Sequence, residues 1–294
     1  MMIEKGVILS VKSAVQENIG DDPYRKLIQT AEMLKNKKSK LWLCGSITEF
    51  SASGLLSSYA IDESLISEDW LKQAGFMIAA DSDQSVLRQA YQAFRPDVNY
   101  MVFSFQDWVR NEAIYHAFMK QQGNSSWRAW PDSFKYQPEQ QDVDLKPYQE
   151  DLLYRAFVQQ ELFLEWKAVK QKANDLDLKV IGTLPYLPCI DSVDVWSHQD
   201  CFKEDGDYNW QVLEQREYHY WMDRIGYSTR IYDGIILEDF SKLAEHGKEP
   251  FFIALQQTSD ELNLYVRDTE PLSDQAKLMI EKCHLSILHG DVID

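Results

Sequence analysis

The residues of this chain best placed to do chemistry are carboxylates that follow short apolar runs. The stretch Lys179 to Trp196, KVIGTLPYLPCIDSVDVW, rises through Val180 and Ile181, is expected to break at Gly182, and ends in Asp191, Asp194 and Trp196. A second run, DGIILEDF from Asp233 to Phe240, ends in Glu238 and Asp239. Such runs read as buried parallel strands, whose C-terminal ends deliver functional loops. The same acids also have plain structural uses. Asp191 or Ser192 would cap a helix by accepting backbone N–H bonds, and Glu238-Asp239 would solvate the end of a strand. Other chemistries lack their residues. The six histidines show no ligand spacing, and the four cysteines (Cys44, Cys189, Cys201, Cys283) form no CxxC pair. There is no Gly-rich phosphate loop. No metal and no cofactor are expected.

The elements that must position these acids follow from periodicity. Gly6 to Val11 reads as a first strand and Asn18 to Pro23 as a turn with helix-start chemistry. Leu27, Ile28, Ala31 and Leu34 fall at helical spacing between residues 24 and 37, and Leu41 to Cys44 reads as a second strand. Strand, helix and strand make a βαβ unit and favour a parallel sheet covered by helices. Residues 63 to 150 form a mainly helical insertion, with an exposed, acidic connection at 137 to 147. Leu152 to Leu176 is the clearest helix and leads into the run at Lys179. Phe251 to Leu255 reads as a further strand, with Leu262 to Val266 and Leu285 to Leu288 as weaker ones.

The 294 residues carry a net charge of −17, which disfavours nucleic acid and anionic membrane surfaces as partners. No apolar stretch approaches the roughly 20 residues of a membrane span, and MMIEKGVILSVKSA lacks a signal-peptide core. We expect a reduced, cytoplasmic, soluble protein built as a single α/β domain over residues 1–294.

Several stretches together resemble the amylomaltase family, 4-α-glucanotransferases that cleave and religate α-1,4-glucan chains. IGTLPYLPCIDSVDVW is similar to the family's IGDLPIYVAxDSADVW block, and YDGIILEDF to its YDxVRIDHF block. GVILSV with NIGDDPYR resembles the opening strand and IGD turn, LWLCGS with FSAS the LPL…SPYSxxSA region, SSWRAWP the WxxWP segment, and YHYWMDRI the YxWWxxRL segment. The likeness is collinear over nearly the whole chain. It implies a (β/α) barrel of the TIM type, shortened or modified from eight strands, a retaining double-displacement mechanism, no cofactor, and α-1,4-glucan or maltooligosaccharide as the ligand.

On that resemblance Glu238 stands at the nucleophile position, Ile236 where the family has Arg, and Asp239 where it has His. Residues i and i+2 of a strand face the same way, so Ile236 would lie beside Glu238 and push its pKa upward. Thr183 replaces an Asp, and the HDND motif is missing. The acid/base position falls on Leu255 in one register and on Asp260, with Glu261 adjacent, in the other. A retaining enzyme needs its two carboxylates about 5–5.5 Å apart. Asp191, Trp196, Tyr208, Trp210 and Asp239 would contact substrate. Of Trp127, Trp130, Tyr208, Trp210 and Trp221, one or two are expected to face a cleft, the rest being core. Three readings follow: a catalytically impaired relative that binds glucan or a protein partner, an active transferase or hydrolase using Glu238 with Asp260 or Glu261, and a scaffold or homo-oligomer whose lost strands are replaced by an interface.

Overall fold

The computed structural model describes residues 2–10, 29, 32, 41–79, 82–123, 126–258, 263–267 and 271–293. Among the described residues, six parallel strands close into a barrel: β1 (Met2–Ser10), β2 (Leu41–Cys44), β5 (Lys179–Leu184), β6 (Gly234–Glu238), β7 (Asn263–Arg267) and β8 (Ser286–Ile293), in that order. A small antiparallel hairpin, β3 (Phe50–Ser51) and β4 (Gly54–Leu55), lies outside it. Closure comes from β8 against β1, where Met2 pairs with Ser286 and Leu9 with Ile293. Among the described residues, β1 and β8 therefore leave no open edge at this seam.

The strand alternation sorts the barrel side chains into two environments. Ile181, Ile236, Tyr265 and Leu288 meet in an enclosed interior cluster. Leu184, Ile235, Leu237, Leu264, Val266 and Ile287 instead join the larger core beneath the surrounding helices. This is the period-2 pattern of strands buried on both faces. Glu238 follows Ile236 at the same parity and so reaches the C-terminal mouth of the barrel, the end at which enzymes of this fold work.

Between β4 and β5 the chain carries the helices Glu68–Gln73, Val86–Ala93, Val98–Ser104, Asp107–Gln122 and Gln149–Asp175. The segment read as an aperiodic connection at 137–147 begins with a helical turn, Gln137–Gln140. Buried Gln137 holds it by accepting from the Val143 amide at 2.9 Å. The helix expected over 24–37 lies almost wholly outside the described residues.

Two expectations fail for identifiable reasons. Phe251 to Leu255 is not a strand but part of the helix Glu249–Thr258. Phe251, Phe252 and Leu255 are buried while Ile253 is 50% exposed, so the apolar run covers a helical face. A short apolar run fits either period. Nor does Gly182 end β5, which continues to Leu184. The glycine is there for close approach: a Cβ on it would stand 2.4 Å from the Tyr232 ring. That ring is buried, and its hydroxyl accepts from the Ile47 amide at 3.1 Å.

Gly182→Ala is expected to destabilise the protein by about 1–3 kcal/mol through overpacking against a ring that cannot withdraw. In the helix His219–Ile231, Gly226 has nothing within 4 Å of its added Cβ. Gly226→Ala should accordingly be neutral or stabilising by up to about 1 kcal/mol. Paired thermal melts separate the two; equal shifts would refute the close-approach role of Gly182.

Candidate functional site

The loop after β5 is held by a buried relay of polar groups. Asp194, 1% exposed, accepts from the Ser58 amide at 3.0 Å, from the Ser58 hydroxyl, and from Tyr220 Oη at 3.1 Å. The Ser58 hydroxyl in turn accepts from Arg224 Nε at 2.8 Å. Arg224 is fully buried and spends its remaining donors on Tyr208 Oη at 3.0 Å and the Pro185 carbonyl at 3.2 Å. Its guanidinium also lies 4.7 Å from the Trp221 ring centroid and 5.2 Å from that of Tyr220. The two opposite charges thus meet through one serine hydroxyl, with hydrogen bonds satisfying both ends. Burial, and then the Asp194 charge, push the Tyr59 hydroxyl well above its ordinary pKa.

The other residues of the block are structural in the same sense. Ser192 caps the helix Val193–Ser197 by accepting from the Val195 amide at 3.1 Å. Asp191 accepts from Ser126 Oγ at 3.0 Å and Arg128 Nε at 3.4 Å, while its carbonyl accepts from Tyr115 Oη at 2.8 Å. Trp196 is fully buried against Tyr115, Phe118 and Trp130, and its indole N–H donates to the Phe134 carbonyl. Tyr208 is likewise enclosed, donating to the Tyr186 carbonyl at 2.6 Å. Neither ring offers an open face at the surface. Trp127, Trp130 and Trp221 are also buried. Trp210 alone of the five candidate platforms is partly exposed, set nearly parallel to His246 and edge-on to Phe251.

At the barrel mouth, Glu238 is half-buried and lies in register with Arg267 of β7. Two residues earlier on the same face of its strand stands Ile236, fully buried in the interior. Asp239 adopts a left-handed conformation (φ 52°) at the start of the helix Phe240–His246 and lies 3.9 Å from Lys242. The register that assigned the acid/base position to Leu255 fails, because Leu255 is enclosed on a helix. Asp260 and Glu261 lie outside the described residues.

A cavity of about 540 Å³ opens beside the block. Val193, Asp194, Ser197 and His198 form one wall, Asp223 and Tyr227 of His219–Ile231 another, and Trp108 with Asn111 a third. Tyr59, Trp108 and Tyr227 pack together there, with ring centroids 5.2–6.1 Å apart. This mixture of aromatic surface and side-chain hydrogen-bonding groups suits a small polar ligand.

A second buried network went unread in the sequence. Arg155 donates to Glu49, to Glu112 at 2.8 Å and to Glu63 at 3.1 Å. His116 Nε2 lies 2.7 Å from Glu112 and 3.4 Å from Glu49. The signal available was the i, i+4 spacing of Glu112 and His116 on one helix. Ligand atoms of Glu49, Glu112 and His116 fall within 4.8 Å of one another, close enough for a metal. The Arg155 guanidinium, 3.1 Å from His116 Nε2, already supplies the cation there, so the set does not fit one. Burial pushes the Glu112 carboxyl up, but His116 and Arg155 outweigh it and hold it at about 2. Burial likewise pushes the His116 imidazole down, and Glu112, with a hydrogen bond to Glu49, overrides it to about 9 against opposition from Arg155.

Comparison with known proteins agrees with the motifs. The family model described as 4-alpha-glucanotransferase, glycoside hydrolase 77, matches residues 10–207, more than half of the chain. The chain belongs to the 4-alpha-glucanotransferase family. Curated 4-alpha-glucanotransferases are similar to it: that of Clostridium butyricum is 28% identical over 186 residues, covering 53% of this chain and 38% of that protein. That of Aquifex aeolicus is 22% identical over 300 residues, covering 84% and 61%. The solved amylomaltase from Streptococcus agalactiae in complex with acarbose superimposes with a TM-score of 0.77 at 18% identity, covering 96% of this chain and 72% of that one. The chain therefore spans less than two thirds of the length of these two curated relatives. The family match ends before β6, so Glu238 lies outside it. No helix among the described residues is long and apolar enough to cross a membrane.

Two outcomes follow. Asp194→Ala leaves Arg224 buried without its counter-charge and should cost about 3–5 kcal/mol in denaturant unfolding, with Asp194→Asn milder. The His116 pKa is raised on folding, so its contribution is complete below about pH 6.5 and is lost as pH rises through about 9. Melting temperature should fall between pH 7 and 10, and the fall should shrink in His116→Gln. An unchanged profile in that variant would count against the ion pair.

Proposed function

We propose that this chain is a barrel of the 4-alpha-glucanotransferase family that binds α-1,4-glucan and has lost most of the family's transfer activity. The observation that carries this reading is the apolar layer directly beneath Glu238. Ile236, on the same strand and face, is fully buried with Ile181, Tyr265 and Leu288. A nucleophilic carboxylate is kept ionised by a nearby cation and raised in pKa by an apolar neighbour. On the motif resemblance, the residue that changed is the one serving that purpose. Thr183, standing where the family carries an Asp, points the same way. The glucan site would be the cavity beside the DSVDVW block, where aromatic surface from Trp108, Tyr59 and Tyr227 adjoins Asp223, Asn111 and His198.

The active reading keeps one specific support. Arg267 sits in register with Glu238 on the neighbouring strand, and a cation supplied from there would replace the missing one. In that reading Glu238 is the nucleophile, and Asp260 or Glu261 the acid/base.

Incubating the purified protein with maltotriose separates the two. We expect no glucose or longer oligomers at rates typical of enzymes, and saturable binding of maltooligosaccharide that Trp108→Ala weakens roughly tenfold, in the range given by base or sugar stacking on one aromatic face. Robust disproportionation that disappears in Glu238→Gln would overturn the impaired reading and install the active one.

A further inference from the structure

A second cavity, of about 570 Å³, lies between the helices Asp107–Gln122 and Gln149–Asp175, far along the chain from any barrel strand. Its walls carry Arg88, His116, Lys120 and Arg155, against the single carboxylate of Asp151. In a chain of net charge −17 this is a notable concentration of cations.

The four are not equivalent. Arg155 and His116 are compensated from behind by Glu49, Glu63 and Glu112, which fix their geometry. Lys120 is 69% exposed and shares Asp151 at 2.7 Å. Arg88 is different. Its guanidinium lies over the Tyr154 ring, 3.4 Å from the centroid, and it has no carboxylate partner among the described residues. Arg155 Nε is buried without a hydrogen-bond partner. His116 engages the acids through Nε2. A protonated imidazole then has an N–H left at Nδ1.

We propose that this cavity is an anion site that takes the phosphate group of a small phosphorylated molecule. A stacked guanidinium presents a planar fork of N–H donors that matches phosphate oxygens, and a lysine adds a point charge at the mouth. Of the acids paired with these cations, only Asp151 lines the cavity; Glu49, Glu63 and Glu112 do not. The volume exceeds what a bare phosphate fills and falls in the range of small-molecule sites. The proposal is independent of the glucan reading, because no barrel strand lines the cavity and Glu238 is not part of it.

The test is calorimetric titration of the full chain at neutral pH and low salt with inorganic phosphate and with glycerol phosphate, glycerol alone serving as the neutral control. Saturable binding of glycerol phosphate, weakened tenfold or more in Arg88→Gln and partly restored in Arg88→Lys, supports the site. Saturation by inorganic phosphate alone, with the same loss in Arg88→Gln, keeps the anion site and assigns it to the free ion. No saturation by either compound at millimolar concentration overturns the proposal, as does binding that Arg88→Gln leaves unchanged. Circular dichroism of each variant confirms folding, and His116 ring resonances that shift with phosphate, but not with glycerol, locate the ligand independently of Arg88.

Discussion

The structure depends on one buried contact of opposite charges, Asp194 to Ser58 to Arg224. Three segments far apart in sequence meet in it: the approach to the insertion, the loop that leaves β5, and the helix that enters β6. Neither charge has water to solvate it, so each is tolerable only while the other is in place. The contact therefore behaves as a condition on the fold. It sets the position of Pro185 and Tyr208, which Arg224 also holds, and so the path of the loop around the barrel mouth. The family's most recognisable motif is thus retained here by a demand of packing, and its presence says little about whether the reaction survives.

The insertion repeats the solution with a different cast. Arg155 gathers Glu49, Glu63 and Glu112 from three places, and His116 completes the set. The hairpin region bearing Glu49 is tied in this way to the two longest helices of the insertion. Both networks lie outside the cluster of Ile181, Ile236, Tyr265 and Leu288 inside the barrel. They stand instead at the joints between barrel and surrounding helices. The first ligand-sized cavity opens at one of those joints, beside the DSVDVW block.

How much of this could be read from the chain depended on distance in sequence. The face shared by Ile236 and Glu238 follows from a two-residue period and needed nothing else. The long helix Gln149–Asp175 was legible from spacing. Phe251 to Leu255 was not, because five adjacent apolar residues carry no period; the tie was broken by burial of Phe251 and Leu255 and exposure of Ile253. Gly182 was misread because a glycine in a strand pattern marks either a break or a close approach, and only Tyr232, 50 positions on, distinguishes them. Asp194 was visible as a motif residue, but Ser58 belongs to no motif, and the relay makes sense only with it. Closure with six strands was equally hidden, since strand pairing across the whole chain leaves no local mark.

That closure has a consequence for how the protein is made. Among the described strands, each other one finds a neighbour in segments synthesised nearer to it, but one side of β1 waits for β8, roughly 280 residues later. At ribosomal speeds of about 5–20 residues per second, the wait is roughly 15–60 s. Throughout it, one edge of the nascent first strand has no native mate and stands open to other chains. The ring that leaves no edge in the finished molecule thereby creates a long interval of vulnerability during translation, and the cell's holding chaperones are the natural means of covering it.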